Sequence, residues 1–258
     1  MAILAVLWWP GVAAAQVVHH PFGSHPIAYA AGAIRPSHLP QASLDQAVRD
    51  FYDSWKARYV GQACGPGRYV VLTDFGPASL TVSEAHGYGM LLAVLMAGHD
   101  SQAQQIFDGM YAYFRDHPTA RHSYLLSWMQ SPACEDINGN ESASDGDLDV
   151  AYALFLADRQ FGSCGAIDYR AEALRVLTDI KSGDLDATAR YVLLGDWATP
   201  ADDQYYPSTR SSDFMPGHFR SFAAASGDPA WSGLLESTYG LVETLQAGSP
   251  LAVAKLRK

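Results

Sequence analysis

Two short acidic segments hold the residue types best suited to chemistry. The first, Ser83-Glu84-Ala85-His86-Gly87-Tyr88-Gly89-Met90, places Glu84 at the apparent first turn of a helix. Capping alone accounts for part of it: Thr81 followed three positions later by Glu84 matches a capping box. Capping leaves Gly87 and Gly89 unexplained, since each glycine inside a helix costs about 1 kcal/mol relative to alanine. Their presence implies that something approaches the backbone closely. The second segment, Ser142-Ala143-Ser144-Asp145-Gly146-Asp147-Leu148-Asp149, sets three carboxylates in a row of alternate positions behind Ser144, a good N-cap. Two acidic helix starts at one end of a helical domain set carboxylates opposite each other. One protonated carboxyl facing ionised partners is what acid-catalysed cleavage of a glycosidic bond requires. A helix N-terminus lowers a carboxyl pKa, so Glu84 keeps its proton near neutral pH only if burial and a like-charged neighbour oppose that field. Asp145 is the candidate neighbour.

The elements that must position these groups read as helices. Apolar residues recur at spacings of three and four in Leu44, Val48, Phe51 and Trp55. The same spacing returns through Leu91 to Met96, in Ile106, Met110 and Tyr113, and in Leu148, Tyr152 and Phe155. It continues through Ala173, Val176 and Ile180, then Phe219 to Ala225, then Leu234 to Leu245. Extended alternation is scarce. Gly98-His99-Asp100 and Gly227-Asp228-Pro229 each read as a left-handed cap followed by a new helix start. The pattern predicts helical hairpins, about eight helices in all, joined by long loops rich in Trp, Tyr, Asp and Asn. Such loops carry the site when it lies at one end of a helical toroid.

The chain of 258 residues is long enough to bury a large core and reads as one domain over residues 41–258. Seventeen basic residues against twenty-seven acidic give a net charge of −10, which repels phosphate backbones and anionic membranes. Neither nucleic acid nor a membrane is an expected partner. The start reads as an export signal over 1–15, with an apolar run from Ala2 to Trp9 and small residues at Ala13-Ala14-Ala15, followed by a leader over 16–40. An expected positive start is missing, and a buried N-terminal strand would give the same run. The three cysteines lack the paired spacing of a zinc site. In an exported protein Cys64 and Cys134, both in Gly/Pro-containing loops, are the expected disulfide and Cys164 the odd thiol; three free buried thiols is the alternative.

The first motif resembles the signature of glycoside hydrolase family 8, and the second is similar to that family's Ala-Ser/Thr-Asp-x-Asp segment, in the same order and at similar spacing. The likeness extends to Tyr124–Trp128, Gly195-Asp196-Trp197 and Ser211-Ser212-Asp213-Phe214-Met215-Pro216, and runs from about Ser43 to Gln246. The resemblance implies an all-α (α/α)6 toroid of six hairpins, here incomplete. It implies endo-acting, inverting cleavage of internal β-1,4 bonds, of cellulose-like glucan in the first instance and of xylan or chitosan as alternatives. No cofactor or metal is implied. Glu84 matches the general acid, and Asp145 the acid that grips and distorts the sugar before the cut. Tyr88, Trp128, Asp147, Trp197 and Asp213 are the implied substrate-binding residues, the two tryptophans as platforms under neighbouring sugars.

Departures from the family pattern are equally definite. Ala85 stands where glycine is usual, and Asp213 stands where the family often has tyrosine. The Tyr-Asp-x-x-Arg segment that carries the family's water-activating base is absent from these 258 residues, so the chain reads as the first two thirds of a family domain. Asp213 and Asp147 are the candidate substitutes. Apolar faces left open by missing hairpins would favour self-association. A glycan-binding fragment without hydrolysis and a helical-toroid polysaccharide lyase are the competing readings.

Asp136-Ile137-Asn138-Gly139-Asn140-Glu141 is similar to a calcium loop, but its glycine comes two positions too early for an EF-hand. No Gly-x-Ser-x-Gly elbow or phosphate loop is present.

Overall fold

A computed structural model describes residue 32 and residues 37–74, 76–201, 204–206 and 208–247. The expected export signal over 1–15 and nearly all of the leader lie outside the described residues. Among those residues the chain forms seven α-helices, and each apolar run predicted from spacing is one of them. They are α1 (Gln41–Tyr59), α2 (Ser83–Leu95), α3 (Ala103–Asp116), α4 (Ser144–Phe161), α5 (Tyr169–Gly183), α6 (Pro216–Ser226) and α7 (Ala230–Ala247). Two antiparallel pairs of short strands, β1 (Val60–Gln62) with β2 (Tyr69–Val71) and β3 (Thr81–Val82) with β4 (Met129–Gln130), account for the strands.

The packing order is that of an (α/α) toroid. α2, α4 and α6 lie side by side, and α3, α5 and α7 each fold back on the helix before them. The side-by-side helices carry apolar residues on most faces. Leu148, Val150, Ala151, Leu154 and Ala157 of α4 are fully buried, and Met90, Ala93 and Val94 of α2 nearly so. A helix apolar all round is a helix covered all round. The returning helices are amphipathic, and α3 buries Ile106, Phe107, Met110, Tyr113 and Phe114 along one stripe.

Helix boundaries depend on local polar bonds. Asp168 accepts from the Ala171 N–H at 2.9 Å to start α5, and Asp100 accepts from the Gln102 N–H at 2.9 Å ahead of α3. Gly227 closes α6 in the left-handed region (φ 72°, ψ 8°), after which Asp228 accepts from the Ala230 N–H and begins α7, as its sequence predicts. Gly98 does not play that part: α2 ends at Leu95 with Met96 as its C-cap, and Gly98 is outside the positive-φ glycines. Two expected caps are also absent. Thr81 pairs with Gln130 in β3, leaving Val82 before α2, and Ala143 precedes α4 while the Ser144 hydroxyl donates to the Leu193 carbonyl at 2.7 Å.

Cys64 and Cys134 form a disulfide that ties the β1–β2 loop to the loop after β4, and Cys164 is a free, exposed thiol. Closing a loop across 70 residues stabilises by about 4 kcal/mol in the chain-entropy picture.

The outer face of α1 is open: Phe51 is 75% exposed and Val48 46%, and Tyr52 is the helix's only buried residue. α7 likewise presents Leu245 at 65% exposure. Apolar faces of this kind drive association, so the chain is expected to elute ahead of a monomer by size-exclusion chromatography at micromolar concentration. A single monomeric peak with the multi-angle scattering mass of one chain would contradict it.

Candidate active site

α2 and α4 are in direct backbone contact at their N-terminal ends, and two glycines permit it. A Cβ on Gly87 would lie 2.6 Å from Asp149 Cβ, and a Cβ on Gly146 would lie 2.7 Å from the Ser83 backbone carbon. The close approach implied by glycine in the first turns is therefore that of the neighbouring helix. Gly89 makes room in the same way for Val71 and Met110. Because Ser83 and Gly146 touch, the residues beside them, Glu84 and Asp145, start their helices as neighbours.

Glu84 is exposed, and the Tyr88 hydroxyl one turn on donates to its Oε1 at 3.0 Å. The environment expected for it was burial; what it has instead is an open face with Tyr88 beside it. The Tyr88 phenol is pushed up to about 12 by partial burial, by its bond to Glu84 and by the negative field of Glu84, Asp149 and Asp145. It stays a hydrogen-bond donor at every working pH. Asp145 is half-buried, its Oδ1 accepting from the Gly146 N–H at 2.8 Å and its Oδ2 lying 3.6 Å from Arg210 Nη2.

Arg210 is the residue that sequence reasoning missed. Its Nε donates to Asp213 Oδ2 at 3.1 Å, so one guanidinium spans Asp145 and Asp213 while also feeling the charge of Glu84. Nothing in the sequence marks it, because its partner Asp145 lies far away along the chain. A second unforeseen pair lies one turn deeper on α4, where His218 Nε2 sits 2.8 Å from Asp149 Oδ1 and its ring packs, tilted 38°, on Tyr152 at 4.1 Å.

The tryptophans flank this cluster. The Trp128 carbonyl accepts from the Ser83 N–H at 2.9 Å, which locks Trp128 beside the start of α2. Its indole N–H donates to the Asn138 carbonyl at 3.1 Å, leaving the half-buried ring part-open. Trp197 is held at the start of α4 by reciprocal bonds between its neighbour Asp196 and Ser142, at 2.8 Å each way. A Cβ on Gly195 would strike the Ser142 carbonyl at 2.2 Å, so that crossing requires glycine. The half-buried Trp197 ring meets Tyr205 edge-on at 5.3 Å.

Two expected substrate-binding residues are corrected. Asp147 is fully buried beneath α4's first turn, with Oδ1 accepting from the Leu126 N–H at 2.8 Å, and has no face for a sugar. On a helix, residues two apart point to different sides, so Asp147 turns inward where Asp145 faces the open end. Asp213 is also fully buried, bonded by Arg210 and by the Ser212 hydroxyl at 3.0 Å. It positions Arg210 and lines no open groove. Burial pushes its carboxyl up, and the bond to Arg210 opposes that.

Asp147 belongs instead to an acidic cluster under the site. Its Oδ2 and Asp184 Oδ2 are both buried with no hydrogen-bond partner among the described residues. The Ser142 hydroxyl donates to Asp184 Oδ1 at 2.7 Å, and the Thr119 hydroxyl to Asp196 Oδ2 at 2.7 Å. Burial first, then the charges of Asp196 and Asp213, push Asp184 up to about 8, and burial and Asp184 push Asp147 up as well. A carboxyl with a raised folded pKa stabilises the fold when protonated, and that contribution is lost as pH rises through the folded value. Stability is therefore expected to fall between about pH 4, where the unfolded carboxyl titrates, and pH 8. Melting temperatures across that range should show the decline in the unchanged chain and a flatter profile for Asp184→Asn; parallel profiles would contradict it.

Among the described residues no helix is long and apolar enough to cross a membrane, and no group of three or more His, Cys, Asp or Glu is arranged to hold a metal ion.

Comparison with known proteins agrees with this geometry. The chain is 42% identical over 248 residues to a beta-glucanase of Niallia circulans, covering 96% of this chain and 59% of that protein. It is 37% identical over 216 residues to an endoglucanase of Bacillus sp. strain KSM-330, covering 81% of this chain and 46% of that one. The apo structure of a beta-1,3-1,4-glucanase from Paenibacillus sp. X4 superposes with a TM-score of 0.84 at 42% identity, over 89% of this chain and 59% of the other. The chain thus spans between 46% and 59% of the length of these relatives, and its helices form the matching arc of their (α/α)6 toroid. With the family of glycosyl hydrolases family 8 matching residues 38–250, the chain belongs to that family.

Proposed function

We propose that this chain forms the acid half of an inverting endo-β-glucanase, which cleaves internal β-1,4 linkages of a cellulose-like or mixed-linkage β-glucan. The observation that carries this reading is the pairing of Glu84 and Asp145 at touching helix starts, with Tyr88 and Arg210 in the same cluster. As general acid, Glu84 has the open face needed to reach the leaving glycosidic oxygen. Asp145, held beside the Arg210 guanidinium, binds the sugar whose ring takes up positive charge in the transition state. Trp128 and Trp197, part-open on either side, supply ring faces on which sugars stack.

The names of the relatives favour glucan over xylan or chitosan. Export is part of the proposal, since the Cys64–Cys134 disulfide persists in an oxidising compartment and agrees with the apolar Ala2–Trp9 run. One observation favours a second reading, glycan binding without turnover. Asp147 and Asp213, the candidate substitutes for the water-activating base, are both buried and do not face an open groove.

Reducing-sugar release from barley β-glucan, carboxymethylcellulose, xylan and chitosan separates these readings. Release from the first two well above the others is expected. Binding to β-glucan with no release from any of the four would leave the second reading standing.

A further inference from the structure

A second concave site lies at the opposite end of the helices. Phe161 closes α4, sixteen residues beyond Asp145, and at 1.5 Å per residue that is roughly 24 Å along the axis. There the ends of α3, α4 and α5 enclose a pocket of about 640 Å³. Its chemistry is specific. The Gln104 side-chain amide donates to the Tyr169 hydroxyl at 3.1 Å, and that hydroxyl donates to Asp108 Oδ1 at 2.5 Å. The chain of bonds leaves Asp108 Oδ2 and Gln104 Oε1 as acceptors and the second Gln104 N–H as a donor. A ligand seated here meets acceptors and an amide donor together, which suits hydroxyl groups.

The half-buried Phe161 ring, tilted 56° against Tyr169 at 6.0 Å, forms part of the wall. Gly162 and Gly165 form the rim, and a Cβ on either would meet nothing within 4 Å. No lysine or arginine lines the pocket and Asp108 does, which favours a neutral ligand over a phosphate or carboxylate. Acceptors beside an aromatic face and a rim without side chains suit a pyranose ring, whose hydroxyls donate and whose C–H face packs on Phe161.

We propose that this pocket is a second, non-catalytic carbohydrate site that takes a neutral glucosyl unit of a β-glucan chain and holds the protein on its polymer. The identity of the sugar rests on the β-glucan reading above, but the site does not depend on hydrolysis.

Native electrophoresis through gels containing barley β-glucan tests it. The unchanged chain is expected to be retarded, and Asp108→Ala and Gly165→Leu are each expected to lose at least half of that retardation. Gly165 has no left-handed backbone to strain and faces open space, so its variant should keep its melting temperature. Both should hydrolyse cellopentaose within twofold of the unchanged rate. A measurement on the unchanged chain adds to this: Cys164 is free, exposed and next to Gly165, so cellopentaose should slow its alkylation by a maleimide several-fold. Absence of retardation in the unchanged chain would overturn the proposal. So would full retardation of both variants, no protection of Cys164, or retardation by glycol chitosan alone, which would mark a cationic ligand. Failure of the hydrolase reading is seen separately, as retardation without reducing-sugar release.

Discussion

Replacing Glu84 by glutamine is expected to lower turnover of barley β-glucan by about 10³-fold, the middle of the range for loss of a general acid. Glutamine keeps the shape and can still accept from the Tyr88 hydroxyl at the same oxygen, so the site should remain assembled. What it lacks is a proton to release. The leaving sugar must then depart as an alkoxide, and the barrier rises by about 4 kcal/mol, at 1.36 kcal/mol per tenfold. Affinity for the polymer should change little, because the tryptophan platforms and Arg210 are untouched. The measurement is kcat and KM from initial rates, with binding read by gel retardation. Equal kcat in Glu84→Gln and the unchanged chain would remove Glu84 from its role, whatever the fold resemblance. A substrate whose leaving group needs no protonation, such as a dinitrophenyl cellobioside, should recover most of the lost rate. That recovery separates proton donation from mere positioning.

Gly146→Ala is expected to lower both stability and activity, for one geometric reason. The added Cβ would sit 2.6 Å from Ser83 Cβ and 2.7 Å from the Ser83 carbonyl carbon. A side chain could swing aside; the backbone at the start of α2 cannot. Overpacking of this kind costs about 1–3 kcal/mol, and for a chain of this size about 3 kcal/mol corresponds to a fall of roughly 6–12 °C in melting temperature. Relief comes only by moving α2 and α4 apart at their N-terminal ends, which separates Glu84 from Asp145. Activity should therefore fall at least tenfold at a temperature where the variant remains folded by circular dichroism, since small misplacements in a catalytic constellation are costly. Gly165→Ala, where a Cβ meets nothing, serves as the control and should match the unchanged chain in both respects. A Gly146→Ala chain of unchanged melting temperature would mean that the two helices do not touch there.

Local patterns were legible in the sequence because they are set by neighbours in the chain. The period of apolar residues located all seven helices, since a helix places residues three and four apart on one face. The Gly227-Asp228 junction was readable for the same reason, whereas the sequence left the Cys64–Cys134 bond beside three free thiols as alternatives and the structure decided for the bond. The acidic motifs located the site, and Glu84, Tyr88, Asp145, Trp128 and Trp197 do gather at one end of the helices. What the motifs did not reveal was which carboxylates face outward. Asp145 and Asp147 are two residues apart and look alike in sequence, yet a helix turns roughly 200° between them, at about 100° per residue. One meets Arg210 at the open end, and the other is sealed against Asp184. Residue type and local spacing by themselves determined the helices and the family signature. Only the tertiary structure decided that Arg210 joins Asp145 to Asp213, that Gly87 and Gly146 exist for each other's helix, and that Asp147 and Asp213 are buried. Each of those depends on a partner distant in the chain, and packing between helices is what brings such partners within a few ångströms.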